Sequence, residues 1–187
     1  RLADARPDWS LIMIGPVVKV DLADLPHRPN IYYLGGRSYD ELPAYLAGWD
    51  VALMPFAINP STQFISPTKT PEYLAGGRPV VSTPIADVMR HYGDLEAVKI
   101  AAGAESFIAA CDEALGLAQS GSGAWLDEAD DALSPLSWDH TFAGMSDLIS
   151  RAIVIRRQGK FVDGLITPAA PAFRPLGRGK AYDYLIV

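Results

Sequence analysis

Lys69 and Glu72, two side chains of opposite charge, stand three positions apart in the stretch SPTKTPEYLAGGRPVVST, residues 66–83. Residues at that spacing share a face of a helix. Ser66 and Thr68 add hydroxyls just ahead of them, and Pro67 and Pro71 punctuate the run. A helix that starts here offers unpaired N–H groups and a partial positive charge, which suit a phosphate. Lys69 adds a full charge on a flexible stem. The two oxygens of Glu72 suit a pair of vicinal hydroxyls, such as a ribose diol. Cation, amides and carboxylate then follow one another in the order a nucleoside diphosphate needs. An ordinary helix start has the same ingredients: Pro is favoured at the first helical position and Glu in the first turn. Lys69 and Glu72 would then be a surface ion pair worth a few tenths of a kcal/mol. The start itself has two settings, with Ser66 capping ahead of Pro67 or Thr70 capping ahead of Pro71.

The surrounding elements decide where such a turn would lie. Leu11–Ile14 is an apolar run stopped by Gly15-Pro16, and Asn30–Leu34 is another, ended by Gly35-Gly36. Ser38 and Glu41 have the spacing of a capping box, followed by one apolar helix face of Leu42, Tyr45, Leu46 and Trp49. Asp50–Phe56 is nearly continuous in apolar residues, as a strand of a parallel sheet covered on both faces would be. Gly76-Gly77 suits a helix C-cap, and Pro79–Ser82 and Val98–Ala101 read as further strands. Helices are expected over Asp87–Tyr92 and Glu105–Gln119, and from Ser137 onward along a stripe of Trp138, Phe142, Met145, Ile149 and Ile153. This alternation predicts a doubly wound α/β domain with a mostly parallel sheet. Ligands of that architecture bind at the carboxyl ends of the strands, where Ser66–Glu72 would lie.

The bulk properties narrow the partners. The chain has 187 residues, 49% of them hydrophobic, and a net charge of −6, which argues against a nucleic-acid backbone as ligand. Its single cysteine, Cys111, allows no internal disulfide and falls on the apolar side of a helix, as a structural thiol would. His27, His91 and His140 lack metal-ligand spacing, and no metal is expected. No apolar run is long enough to span a bilayer, and no signal-peptide pattern is present, so a cytoplasmic location is expected. The chain opens on Arg1 with what reads as the end of a helix, and is expected to be a piece of a longer protein. Residues 158–181 are rich in Pro and Gly and read as a linker, and 182–187 as an abrupt apolar strand.

SPTKTPEYLAGGRPVVSTP resembles the donor-binding segment of glycosyltransferases with the GT-B fold, especially the large retaining family four. Its setting is similar too: RPDWSLIMIGP, then PNIYYLGGRSYDELPAYLAGWDVALMPF, then a closing SWDHTF helix. The resemblance covers residues 1–157 and implies most of the C-terminal, Rossmann-like half of that fold. It implies that Glu72 binds the donor ribose and that Ser66, Thr68 and Lys69 hold the diphosphate. Gly35, Gly36 and Arg37 would lie near the base. The expected ligand is a nucleotide-diphosphate sugar, UDP-linked. The acceptor-binding N-terminal half would lie upstream of Arg1, as would the first strand of this half; peripheral membrane contact would go through that missing half. The family often has Glu eight positions before the ribose Glu, where this chain has Phe64, so the contact to the donor sugar is missing or made differently.

The ending YDYLIV resembles the first strand of a UDP-galactopyranose mutase, a flavoenzyme. It implies a fusion, with FAD held by a domain after Val187 and no cofactor in residues 1–157. An edge strand or an ordered tail reads from the same residues. The main expectation is a transferase of polysaccharide biosynthesis that holds its donor by ribose and diphosphate and stabilises the leaving diphosphate electrostatically. No residue has the setting of a catalytic base. A GT-B sugar-nucleotide epimerase and a non-catalytic GT-B scaffold beside a flavoenzyme are the alternatives.

Overall fold

The computed structural model describes residues 1–121 and 123–157. The linker and tail readings, residues 158–187, lie outside them. The chain divides into two compact units, Arg1–Pro135 and Leu136–Val187.

The first unit is α/β with parallel strands. Helix α1 (Leu2–Ala5) leads into β1 (Leu11–Ile14), which pairs in parallel with β2 (Ile31–Gly35). Helix α2 (Leu42–Ala47) then precedes β3 (Ala52–Met54). Helix α3 (Lys69–Ala75) joins β3 to β4 (Val80–Ser82), and α4 (Ala86–Tyr92) joins β4 to β5 (Val98–Ile100). These three strands form a parallel sheet in the order β3-β4-β5. Helices α5 (Ala104–Gln119) and α6 (Ala124–Leu133) complete the unit.

All five strand positions match the apolar runs of the sequence, but the single sheet expected from them is divided in two. β1 and β3 each have a partner on one edge only. A doubly wound order of the 3-2-1-4-5 type puts another strand between two such edges, and no strand among the described residues takes that place.

The alternation along the strands sorts the core. Ala52, Met54, Val80 and Val98 pack with Leu74 of α3, Val88 of α4 and Trp125 of α6. Val81 packs on the opposite face with Ala110, Cys111 and Ala114 of α5, joined by Leu53, Trp9 and Phe107. Cys111 is therefore a core thiol: burial pushes its pKa up to about 12, so it stays protonated and inert. Covered on both faces, Val80 and Val81 are each 0% exposed. Side chains of that kind contribute roughly 1.5–3 kcal/mol apiece by leaving water.

Two further local expectations hold with refinements. Glu41 accepts the N–H of Ser38 at 2.9 Å and its hydroxyl at 2.7 Å, and the turn it closes is a short 3-10 helix ahead of α2. Helix α3 ends in a Schellman motif: Arg78 N–H donates to the Tyr73 carbonyl at 3.0 Å and Gly77 N–H to that of Leu74 at 2.8 Å. Gly77 has φ +68°, the left-handed conformation that this motif needs and that a side chain disfavours.

Of the second unit, the described part is helix α7 (Trp138–Arg157) and the residues just before it. Ser137 caps it, its hydroxyl accepting the N–H of His140 at 3.1 Å. The expected stripe from Trp138 to Ile153 is present and exposed.

Candidate functional site

Residues 57–68 carry the chain from the carboxyl end of β3 to the start of α3. Their first half is pinned by Asn59, whose side-chain oxygen accepts the N–H groups of Ser61 at 2.9 Å and Thr62 at 3.1 Å. The Thr62 hydroxyl donates to the Ala57 carbonyl. Phe64 follows and is 83% exposed, while its neighbour Ile65 packs against the core.

The helix starts at Lys69, with Thr68 as the flanking residue, so neither expected cap is used; Thr68 makes no side-chain capping bond. The reason lies in packing. Thr70, a candidate cap, is instead 0% exposed one position inside the helix, and its hydroxyl donates to the Met54 sulfur at 3.3 Å. Leu74, four positions on, is buried beside it. With Thr70 and Leu74 turned to the core, helical periodicity puts Lys69 and Glu72 on the outer side. Glu72 is exposed and Lys69 half-buried. Among the described residues they form no ion pair with each other or with any other group. The surface-pair arrangement is therefore not adopted, and both charges are left for other use.

The Ser66 hydroxyl has a charged neighbour. It lies beside Asp87, at the start of α4, and its influence is the first cause that holds the Asp87 carboxyl below its ordinary 3.8; burial opposes the shift, and the charges of Arg90 and His91 support it. Arg90 also forms an ion pair with Asp87, and its Nε lies 3.3 Å from Nε2 of His91. The α3 start and α4 together line a small pocket of about 170 Å³. Ser66, Thr68, Asp87, His91 and Tyr92 give it polar groups, and Pro67, Pro71 and Val88 give it apolar walls. Burial, with the Asp87 charge beside it, raises the pKa of Tyr92, which keeps its O–H.

Gly35, Gly36 and Arg37 lie at the carboxyl end of β2, on the other sheet. Gly35 takes φ +69° and accepts the Gly15 N–H at 3.0 Å. The Arg37 guanidinium donates from Nε to the Tyr45 hydroxyl at 2.7 Å and sits 5.7 Å from the Tyr45 ring centre. No hydrogen bond or ion pair among the described residues links this loop to Ser66–Glu72. The structure thus places Ser66, Thr68, Lys69 and Glu72 at and just before the start of α3, and Gly35–Arg37 at the end of a strand of the other sheet.

The sequence reading missed Asp87, His91 and Tyr92. The available signal was positional: Asp87 follows β4 by five residues, in the first turn of the helix after the carboxyl end of that strand, where ligand contacts gather. Among the described residues no group of His, Cys, Asp and Glu side chains is placed to hold a metal ion.

Comparison with known proteins adds two findings. The model of the family "Glycosyl transferases group 1" matches residues 1–116. The chain is also 34% identical over 116 residues to a protein of Bacillus subtilis (strain 168) named "Putative teichuronic acid biosynthesis glycosyltransferase TuaH". That alignment takes in 59% of this chain and 29% of the relative, so the chain spans under a third of the relative's length.

Proposed function

The chain belongs to the group 1 glycosyltransferases, and from that premise we propose that the turn Ser66–Glu72 holds the donor, a nucleotide-diphosphate sugar, for transfer to an acceptor bound elsewhere in the protein. The observation that carries this reading is the pair of unengaged charges, Lys69 and Glu72, on the outer side of a helix start whose inner side is locked by Thr70 and Leu74. In this reading Lys69 meets the diphosphate and Glu72 accepts the ribose hydroxyls. Transfer breaks the bond between the sugar and the diphosphate, and negative charge collects on the leaving group. A fixed ammonium at that point stabilises the transition state more than the ground state, which accelerates the step. The base would lie toward Gly35–Arg37, where Arg37 already has Tyr45 as a platform.

We place the protein in the cytoplasm, where nucleotide sugars are made. Among the described residues no helix is long and apolar enough to cross a membrane. UDP is the nucleotide we favour. The flavoprotein fusion rests on the sequence of residues 182–187 alone.

The test is calorimetry on the full-length protein with UDP and with uridine. Lys69→Ala is expected to weaken UDP strongly and uridine little, because only UDP carries the charge that Lys69 meets. Equal losses for both ligands would show that the substitution merely disturbed the helix start.

A further inference from the structure

The pocket between the start of α3 and helix α4 is absorbed only in part by the reading above, which uses Ser66 and Thr68 but gives no role to Asp87, His91 or Tyr92. Its volume, about 170 Å³, is well below the roughly 300–1,000 Å³ of a site that encloses a drug-sized ligand. It can take one group of a larger molecule.

The chemistry of the walls says which group. A phosphate would meet the Asp87 carboxylate, and the nearby cation, Arg90, is already paired with that carboxylate. An ionised carboxylate is an acceptor only, whereas Ser66, Thr68 and Tyr92 carry hydroxyls that can donate as well as accept. Acceptors and hydroxyls set against apolar walls of Pro67, Pro71 and Val88 match a neutral, hydroxyl-rich ring with apolar C–H faces. The order along the chain agrees. The pocket takes Ser66 and Thr68, then come Lys69 and Glu72, as sugar, diphosphate and ribose follow one another in the donor. Phe64, two positions upstream of Ser66, stands 83% exposed and offers no acceptor.

We propose that this pocket is the subsite for the hydroxyls of the transferred sugar, with Asp87 as their charged acceptor. The proposal rests on the donor-binding reading of Lys69 and Glu72. In this proposal Ser66, beside Asp87, serves the sugar with Thr68, and the diphosphate is left to Lys69.

Calorimetry on the full-length protein separates the two layers, with UDP, UDP-glucose and UDP-galactose as probes. Asp87→Asn keeps the shape and removes the charge. It is expected to weaken the better-bound UDP-sugar about tenfold or more, the loss typical of a hydrogen bond to a charged group, and to leave UDP within about twofold. Retained UDP affinity then reports that the variant is folded. Ser66→Ala should follow the same pattern more weakly, and Lys69→Ala should weaken UDP and UDP-sugar alike. If Asp87→Asn weakens UDP as much as the UDP-sugar, or leaves both unchanged, the sugar subsite is overturned while the donor-binding reading stands. If the unaltered protein binds none of the three probes, the donor-binding reading fails and takes this proposal with it.

Discussion

In the three-stranded sheet, β4 lies between two partners and two helical layers, and its three residues are 0% exposed. In the two-stranded sheet, Met13, Tyr32 and Tyr33 are exposed, and neither strand has a fully buried residue. The candidate residues divide along the same line. Lys69, Glu72 and the pocket residues are carried by elements locked to the first sheet through Thr70, Leu74 and Val88. Gly35–Arg37 are held by a glycine turn, the Gly15 N–H on the Gly35 carbonyl and the contact of Arg37 with Tyr45. The contrast teaches where rigidity has been placed. In the proposed reading, phosphate and sugar need charges fixed in position to act on a transition state, while the base needs a surface to rest on.

Core substitutions probe this contrast with the largest expected effect. Leu74→Ala should destabilise the first unit by about 2–5 kcal/mol, since a buried leucine leaves a cavity behind. Ile12→Ala in β1, at a half-buried position, should cost clearly less. Denaturant melts of the full-length protein check both, and equal losses would erase the distinction between the sheets. Gly77→Ala should cost about 1–2 kcal/mol in the same melts, because φ +68° forces a side chain into the left-handed region. A neutral result would mean that the Schellman end of α3 can relax.

Smaller effects follow from charge. Asp87 and Asp112 are both held below 3.8, Asp87 first by Ser66 and Asp112 by the Arg6 guanidinium. Lowered carboxyl values stabilise the fold above the unfolded value, and that stability is lost as pH falls below about 3.8 through the folded values. Acid melts should therefore show Asp112→Asn flattening the loss of stability below pH 4, and an unchanged acid limb would contradict the Arg6–Asp112 tie. The least effect is expected from Arg37→Ala, within about 0.5 kcal/mol of the unaltered protein as for most surface positions. A larger loss would show that the β2 loop bears on the fold after all.

Much of this architecture was written into local pattern. The runs that became β3 and β4 were legible because strands covered by helices must be apolar throughout, and β1, β2 and β5 were legible as short apolar runs. The α3 end was legible because Gly76-Gly77 is a C-cap signal. Its start was not: Thr70 has the composition of a cap, and only its burial on Met54 shows that it belongs inside the helix. The division into two sheets was equally hidden, since periodicity reports that a strand exists and not which edge finds a partner. Asp87 lay beyond local pattern altogether. It shares a pocket with Ser66, 21 positions away, and only the crossover from β3 through β4 to α4 brings the two together.

The central claim, that Glu72 accepts the ribose hydroxyls of the donor, is tested most directly by changing both partners. Affinities of UDP and 2′-deoxy-UDP would be measured by calorimetry on the full-length protein and on Glu72→Gln. If Glu72 takes the diol, the carboxylate and the 2′-hydroxyl share one interaction: Glu72→Gln should weaken UDP by about 1.5–3 kcal/mol, the worth of hydrogen bonds to a charged group, and 2′-deoxy-UDP by clearly less. The same loss for both ligands would show that the two groups act independently, and no loss for either would remove Glu72 from the site.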